Sequence, residues 1–229
     1  MQNELEEHVT SLAQKCIQDV PVIVLGSGAS AAHGLPGMGH LSDWLGRKVE
    51  VDGSDADETV AWKQFRDRIR TTDLETALTE IQMPASLTKR IVEATWDLIA
   101  PADQEVFARV VTNRNELPLS ALFKHLLSGT RAEIDVVTPN YDRLAEYAAD
   151  AVGLCHHTGF HHGHLRLRSV EQPIRSVQNN KPARTVNIWK VHGSLDWFSD
   201  PDDVVVGLPI MPSRLPGMAP VIVTPGYEK

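Results

Sequence analysis

VIVLGSGAS, residues 22–30, is the stretch on which the fold turns. Val22, Ile23, Val24 and Leu25 are apolar in succession, and the first three are β-branched, which favours extended backbone. A run apolar on both faces is expected as a strand buried in the middle of a parallel sheet. Gly26 and Gly28 follow at once. Without a Cβ the chain there can bend tightly and approach a ligand closely. The main-chain N–H groups of that turn, with the Ser27 and Ser30 hydroxyls, suit a pyrophosphate. Two glycines also fit a plain strand-to-helix corner. No Gly-Lys-Ser/Thr follows, which excludes the Walker pattern. The helix start expected in AAHGLPGMGHLSDWL (31–45) completes the strand, turn and helix of a phosphate-binding βα unit.

Two further strands are expected. IDVVT (134–138) runs into PNYD (139–142) and the helix RLAEYAADAV (143–152), and VNIWKV (186–191) ends at HGSLDWF (192–198). Ligands of open α/β sheets bind beyond the carboxyl ends of the strands, so GSGAS, TPNYD and HGS are expected to converge on one crevice. Asn140 and Asp142, two residues apart, share one face of an extended segment and can hold ribose hydroxyls or a carboxamide. Asp142 suits equally well a cap for the next helix. His192 stands at the end of a strand, and an imidazole can take a proton from a sugar hydroxyl or a water.

The rest of the chain reads as support. Leu5, Val9, Leu12, Cys16 and Val20 form one stripe of an amphipathic helix ended by Pro21, with Cys16 as a small core residue. Residues 44–128 read as an inserted helical subdomain cut by Pro84, Pro101 and Pro118. Within it Thr72 or Asp73 caps a helix with Leu74, Ala77, Leu78 and Ile81 on its apolar face, and Glu75 completes a capping box with Thr72. VDGSDADE (51–58) is expected to be an exposed loop, and VIVT (221–224) a last strand. Trp189, Trp197 and Phe198 are expected to pack behind the HGS strand.

Residues 153–185 form a His/Arg-rich loop region holding His156, His157, His161, His162 and His164. Imidazoles suit a metal, but without further tight ligand spacing an exposed loop is the expectation. From Arg166 to Lys190 six basic residues face one acid, Glu171. That local basicity suits NAD phosphates, a nucleic acid, an acidic partner or a solvated loop.

Composition narrows the class. With 42% apolar and 23% charged residues in 229, the chain reads as one globular α/β domain carrying an insertion. The net charge of −8 opposes general binding to a phosphate backbone, so direct nucleic-acid binding is not expected. Two unpaired cysteines, Cys16 and Cys155, suit a reducing cytosol and cannot build a four-cysteine zinc ribbon. MQNELEEHVT lacks the layout of a signal peptide, and no apolar run nears the ~18 residues of a membrane span. A cytoplasmic protein without a membrane partner is expected.

Taken together, GSGAS with Gly34, Leu35 and Pro36 downstream, TPNYD (138–142) and VHGSLDWF (191–198) resemble the sirtuin (silent information regulator two) family. Its members carry a GAGxS turn, a TQNID segment and a catalytic histidine followed by glycine, in that order, and the match covers residues 20–200. The resemblance is closest to bacterial sirtuin-like proteins of anti-phage defence, which consume NAD and release nicotinamide and ADP-ribose. It implies a Rossmann-like, mostly parallel sheet with helices on both faces, spanning residues 1–229. It also implies NAD as substrate, lined by Gly26, Ser27, Gly28, Ala29 and Ser30, by Leu35 and Pro36, by Thr138 and Tyr141, and by Gly193 and Ser194. Asn140 and His192 would carry the chemistry, with Asp142 close to the nicotinamide carboxamide.

Departures from the family shape the expectation. Four zinc cysteines are missing, so no zinc is expected, and GLPGMG (34–39) lacks the arginine that usually faces the cofactor. Both disfavour an NAD-dependent protein deacetylase and leave water as acceptor. Family domains continue past VIVTPGYEK (221–229) with a further helix and strand, so a missing C-terminal strand is expected. The leading expectation is an NAD hydrolase effector, acting as a homo-oligomer or awakened by a protein partner. The alternative is a non-catalytic module that binds NAD or ADP-ribose.

Overall fold

The IDVVT run becomes the six-residue strand Glu133–Thr138, which sits inside a four-stranded parallel sheet. The structure is a computed structural model and describes residues 2–18, 22–169, 177–178 and 180–224. In chain order its elements are α1 (Gln2–Gln18), β1 (Ile23–Val24), α2 (Ser27–Ala31), α3 (Met38–Lys48), α4 (Ala56–Arg68), α5 (Leu74–Glu80), α6 (Ala85–Thr112), α7 (Pro118–Leu126), β2 (Glu133–Thr138) and α8 (Leu144–Ala151). There follow β3 (Cys155–His157), β4 (Arg166–Leu167), β5 (Val177–Gln178), β6 (Lys181–Pro182), β7 (Thr185–Lys190), β8 (Gly193–Ser199), β9 (Val205–Gly207) and β10 (Ala219–Ile222).

The fold is mixed α/β. One sheet has the order β1-β2-β7-β3, all parallel, and is flanked by helices. A second, antiparallel sheet has the order β10-β8-β9-β4, and β5 and β6 make a separate hairpin. Ile134, Val136, Val186 and Ile188 form one face of the parallel sheet and are almost fully buried. They pack with Tyr147, Ala148 and Ala149 of α8 and with Val106 and Val110 of α6 in the larger of two apolar clusters. The second cluster joins Leu41 and Leu45 of α3, Trp62 and Phe65 of α4, Leu78 of α5 and Leu87 and Ile91 of α6. α6 spans both clusters in one 28-residue helix, with Pro101 inside it.

Several sequence expectations are corrected. β1 is not central: it pairs with β2 alone among the described residues, and Val24 is 73% exposed. The other face of the parallel sheet is likewise less covered than expected, since Trp189 of β7, in register with Val137 and so with Val24, is 56% exposed. Trp189 therefore does not pack in the core, whereas Phe198 of β8 does. A run of consecutive apolar residues signals two-sided burial only where neighbours cover both sides, and periodicity cannot show the neighbours. The α1 residues Leu5, Val9 and Leu12 are exposed, so that helix forms without burying its stripe there. Val20, Pro21, Glu171 and the Cys16 side chain lie outside the described residues.

HGSLDWF is more than a strand end: residues 193–199 form β8, an inner strand of the second sheet, and the strand expected over 221–224 lies instead at Ala219–Ile222 as β10, antiparallel to β8. The 153–185 region contains the short strands β3 to β6 rather than loop alone. In the acidic 51–58 stretch, Asp55 caps α4 by accepting the Asp57 and Glu58 amides, and Glu58 is buried against Ser86 and Arg90 instead of lying in open solvent. No helix among the described residues is long and apolar enough to cross a membrane.

Candidate functional site

β1, β2 and β7 are consecutive and parallel, so their carboxyl ends emerge side by side. Thr138 stitches them together. Its hydroxyl donates to the Leu25 carbonyl at 2.9 Å and accepts the Asn140 amide at 3.1 Å, while its carbonyl accepts the Val191 amide at 3.1 Å. The three polar clusters expected to converge are thus held within one hydrogen-bonded unit.

The Asn140 side chain is oriented by bonds to the glycine turn. Its Nδ2 donates to the Gly26 carbonyl at 2.9 Å and to Ser30 Oγ at 2.8 Å, and Ser30 Oγ donates to Asp142 Oδ2 at 2.6 Å. A main-chain carbonyl only accepts, so the nitrogen of the amide must face Gly26. What Asn140 offers a ligand is therefore its Oδ1, a hydrogen-bond acceptor.

Asp142 lies one residue before the α8 N-cap position, Arg143, and both of its side-chain oxygens bond within the protein. Oδ1 accepts the Leu144 amide at the start of α8 at 3.2 Å, and Oδ2 accepts a hydrogen bond from the Ser30 hydroxyl at 2.6 Å. With both oxygens engaged and the side chain buried, it braces the Asn140 loop. Lys190 Nζ, fully buried at the end of β7, donates to the Asp142 carbonyl and lies 3.4 Å from Glu146 Oε1. Burial raises the Glu146 carboxyl above its ordinary range, and the charge of Lys190 opposes that rise.

Two cavities meet at this bonded wall. One, of about 280 Å³, is lined from the sheet side by Asn140, Tyr141, Asp142 and His192, and from the glycine turn by Ser27, Ser30, Leu35 and Pro36. Met38 and Leu41 of α3, Glu75 of α5 and Ile99 of α6 close it. The other, of about 390 Å³, shares Ser30, Asn140 and Asp142 and adds Ala29, His33 and Thr138. Leucines 25, 117, 119, 122 and 144 make it largely apolar. Both are near the size at which pockets take small molecules.

Four of the expected contacts do not line these cavities. Gly26 supplies the carbonyl that orients Asn140, and Gly28 lies within α2 with open space around it. Gly193 is held at φ +83°, where a Cβ would come 2.0 Å from the Val221 carbonyl oxygen. Ser194 is buried and donates to Asp196 Oδ1 at 2.5 Å. Glycine at 193 and serine at 194 thus serve the packing of β8 on β10 and the polar interior.

That interior includes two buried ion pairs behind the site. Arg143 bonds Asp103 through its main-chain amide at 2.8 Å and its Nε at 2.9 Å, and Tyr147 donates to the same carboxylate at 2.6 Å. Arg166 Nη2 donates to Asp196 Oδ2 at 2.5 Å. Burial pushes the Asp196 carboxyl up, but Arg166 and Arg143 outweigh it and hold it below its ordinary value.

Sequence reasoning missed Glu75, Met38, Leu41 and Ile99 as cavity residues. Periodicity assigns such residues to a helix face but not to the surface that face meets. Glu75 was expected in a capping box; Asp73 caps α5 instead, accepting from Thr76 N and Thr76 Oγ1, each at 2.9 Å. In the histidine-rich region His156 Nδ1 lies 3.1 Å from Asp150 Oδ1. Burial lowers the affinity of that imidazole for a proton, but the bond to Asp150 outweighs it and raises the pKa. Among the described residues no group of three or more His, Cys, Asp or Glu side chains is arranged to hold a metal ion. No protein-family model matches the chain, and no curated protein matches its sequence.

Proposed function

We propose that this chain is a sirtuin-like NAD hydrolase with a Rossmann-like core, cleaving the nicotinamide–ribose bond to give nicotinamide and ADP-ribose. The observation that carries the reading is that Asn140 and His192, from the ends of β2 and β7, line one cavity. In this scheme the smaller cavity takes nicotinamide and its ribose, and the larger apolar one takes another part of the dinucleotide. The diphosphate would meet main-chain amides of the Gly26–Ser30 turn, because no Lys or Arg lines either cavity among the described residues.

The chemistry follows from those positions. As the bond between the ribose C1′ and the ring nitrogen breaks, its electron pair neutralises the pyridinium, so the leaving group needs no proton. Asn140 Oδ1 accepts a hydrogen bond from the attacking water or a ribose hydroxyl, and His192 takes the proton that water loses on bonding to C1′. Positioning and proton transfer of this kind are each worth about 10²-fold or more. Anti-phage defence as the setting, with activation by a protein partner or self-association, belongs to the same proposal and rests on the motif resemblance.

The test is nicotinamide release from NAD, followed by chromatography, for the wild type, Asn140→Ala and His192→Ala. Loss of at least about 10²-fold in both folded variants is expected; wild-type turnover in both would refute the assignment. A second reading, a non-catalytic NAD or ADP-ribose module, is favoured by the engagement of both Asp142 oxygens within the protein. It predicts NAD binding with no nicotinamide released.

A further inference from the structure

The capping of α5 by Asp73 leaves the Glu75 carboxylate in the first turn of that helix and outside the cap's hydrogen bonds. Among the described residues no hydrogen bond or ion pair engages its carboxylate, and the side chain lines the same cavity as Asn140, Tyr141 and His192. The charges around that cavity are one-sided. Glu75 and Asp142 line it, and no Lys or Arg does among the described residues. Two cations on elements next to the cavity-lining residues, Lys190 and Arg143, are matched by Glu146 and by Asp103. Tyr141 supplies an aromatic wall whose hydroxyl donates to the Val223 carbonyl at 2.7 Å. Burial first, and the Glu75 charge second, raise its pKa, so the ring stays neutral.

We infer that Glu75 makes this cavity selective for a positively charged aromatic ring over a neutral one of the same shape. The inference deepens the NAD hydrolase reading and rests on it for the identity of the ring, the pyridinium of oxidised NAD. It assigns the helical part of the chain a part in choosing the substrate, since Glu75 comes from α5 while the reacting groups come from the sheet. A carboxylate here attracts the pyridinium cation and does nothing for the neutral reduced ring. The same charge favours the cationic ribose that develops as the bond breaks. Glu75 is exposed, so the attraction is screened by salt.

The test compares binding of 1-methylnicotinamide, a cation, with nicotinamide, its neutral counterpart, to the whole chain at low ionic strength. The wild type is expected to prefer the cation by roughly threefold to tenfold, the preference shrinking with added salt. Glu75→Gln should abolish the preference while lowering the melting temperature by no more than about 3 °C, the loss of one first-turn charge. Glu80→Gln, on the same helix but outside the cavity, should keep it. Equal affinity for the two rings in the wild type, a preference that survives Glu75→Gln, or an equal loss in Glu80→Gln overturns the inference. The two ideas fail separately: nicotinamide release with no cation preference sinks only the role of Glu75, whereas cation preference without nicotinamide release sinks only the hydrolase reading.

Discussion

Gly193→Ala offers a sharp test of how the site is held. Gly193 sits at φ +83°, a left-handed backbone conformation that costs a residue with a Cβ about 1–2 kcal/mol. The added carbon would lie 2.0 Å from the Val221 oxygen and 2.9 Å from the Val221 carbonyl carbon, so β10 must retreat by roughly 1.5 Å to reach ordinary contact. That retreat strains the pairing of Ile222 with Gly193 and the 2.9 Å bond from the Val223 amide to the His192 carbonyl. Losing one or two such bonds adds about 1 kcal/mol each, for a total on the order of 3 kcal/mol. Urea unfolding should show a midpoint lowered by about 1 M or more, given the slopes usual for such domains. The His192 main chain moves with the strand, so nicotinamide release should fall as well. Gly28→Ala is the contrast: that position has open space and helical surroundings, and a gain of about 0.5 kcal/mol is expected. A Gly193→Ala protein within about 0.5 kcal/mol of the wild type would refute the packing argument.

Two further outcomes follow from the buried charges. Lys190→Met removes the cation beside Glu146 and the donor to the Asp142 carbonyl. The already raised Glu146 carboxyl can take up a proton, so the cost should be about 2–3 kcal/mol rather than the larger loss usual for a broken buried pair. A cycle with Glu146→Gln should show coupling above about 1 kcal/mol, and strict additivity would sink the pairing. Asp196, held below its unfolded value by Arg166 and Arg143, contributes stability that is present above about pH 4 and is lost as pH falls through its folded pKa. Acid titration of unfolding should therefore be shallower below pH 4 in Asp196→Asn, and a profile parallel to the wild type would contradict this. The variant should also be less stable at neutral pH by about 3 kcal/mol, because Arg166 is left without its buried partner.

The sequence by itself determined the parallel strands β2 and β7 and the helices between residues 38 and 126, but not β8 or the short strands β3 to β6. IDVVT and VNIWKV became β2 and β7 because short segments rich in Val, Ile, Thr and Trp favour extended backbone. It also placed GSGAS, TPNYD and HGS at or beside strand ends, because Gly, Asn and Asp punctuate backbone locally. Tertiary structure decided everything that depends on which surfaces meet. It left β1 paired with β2 alone among the described residues, drew Gly193 and Ser194 into packing, committed both Asp142 oxygens to internal bonds and turned Glu75 into a cavity wall. Periodicity is a property of one segment, whereas a neighbour and the charge it brings come from parts of the chain distant in sequence.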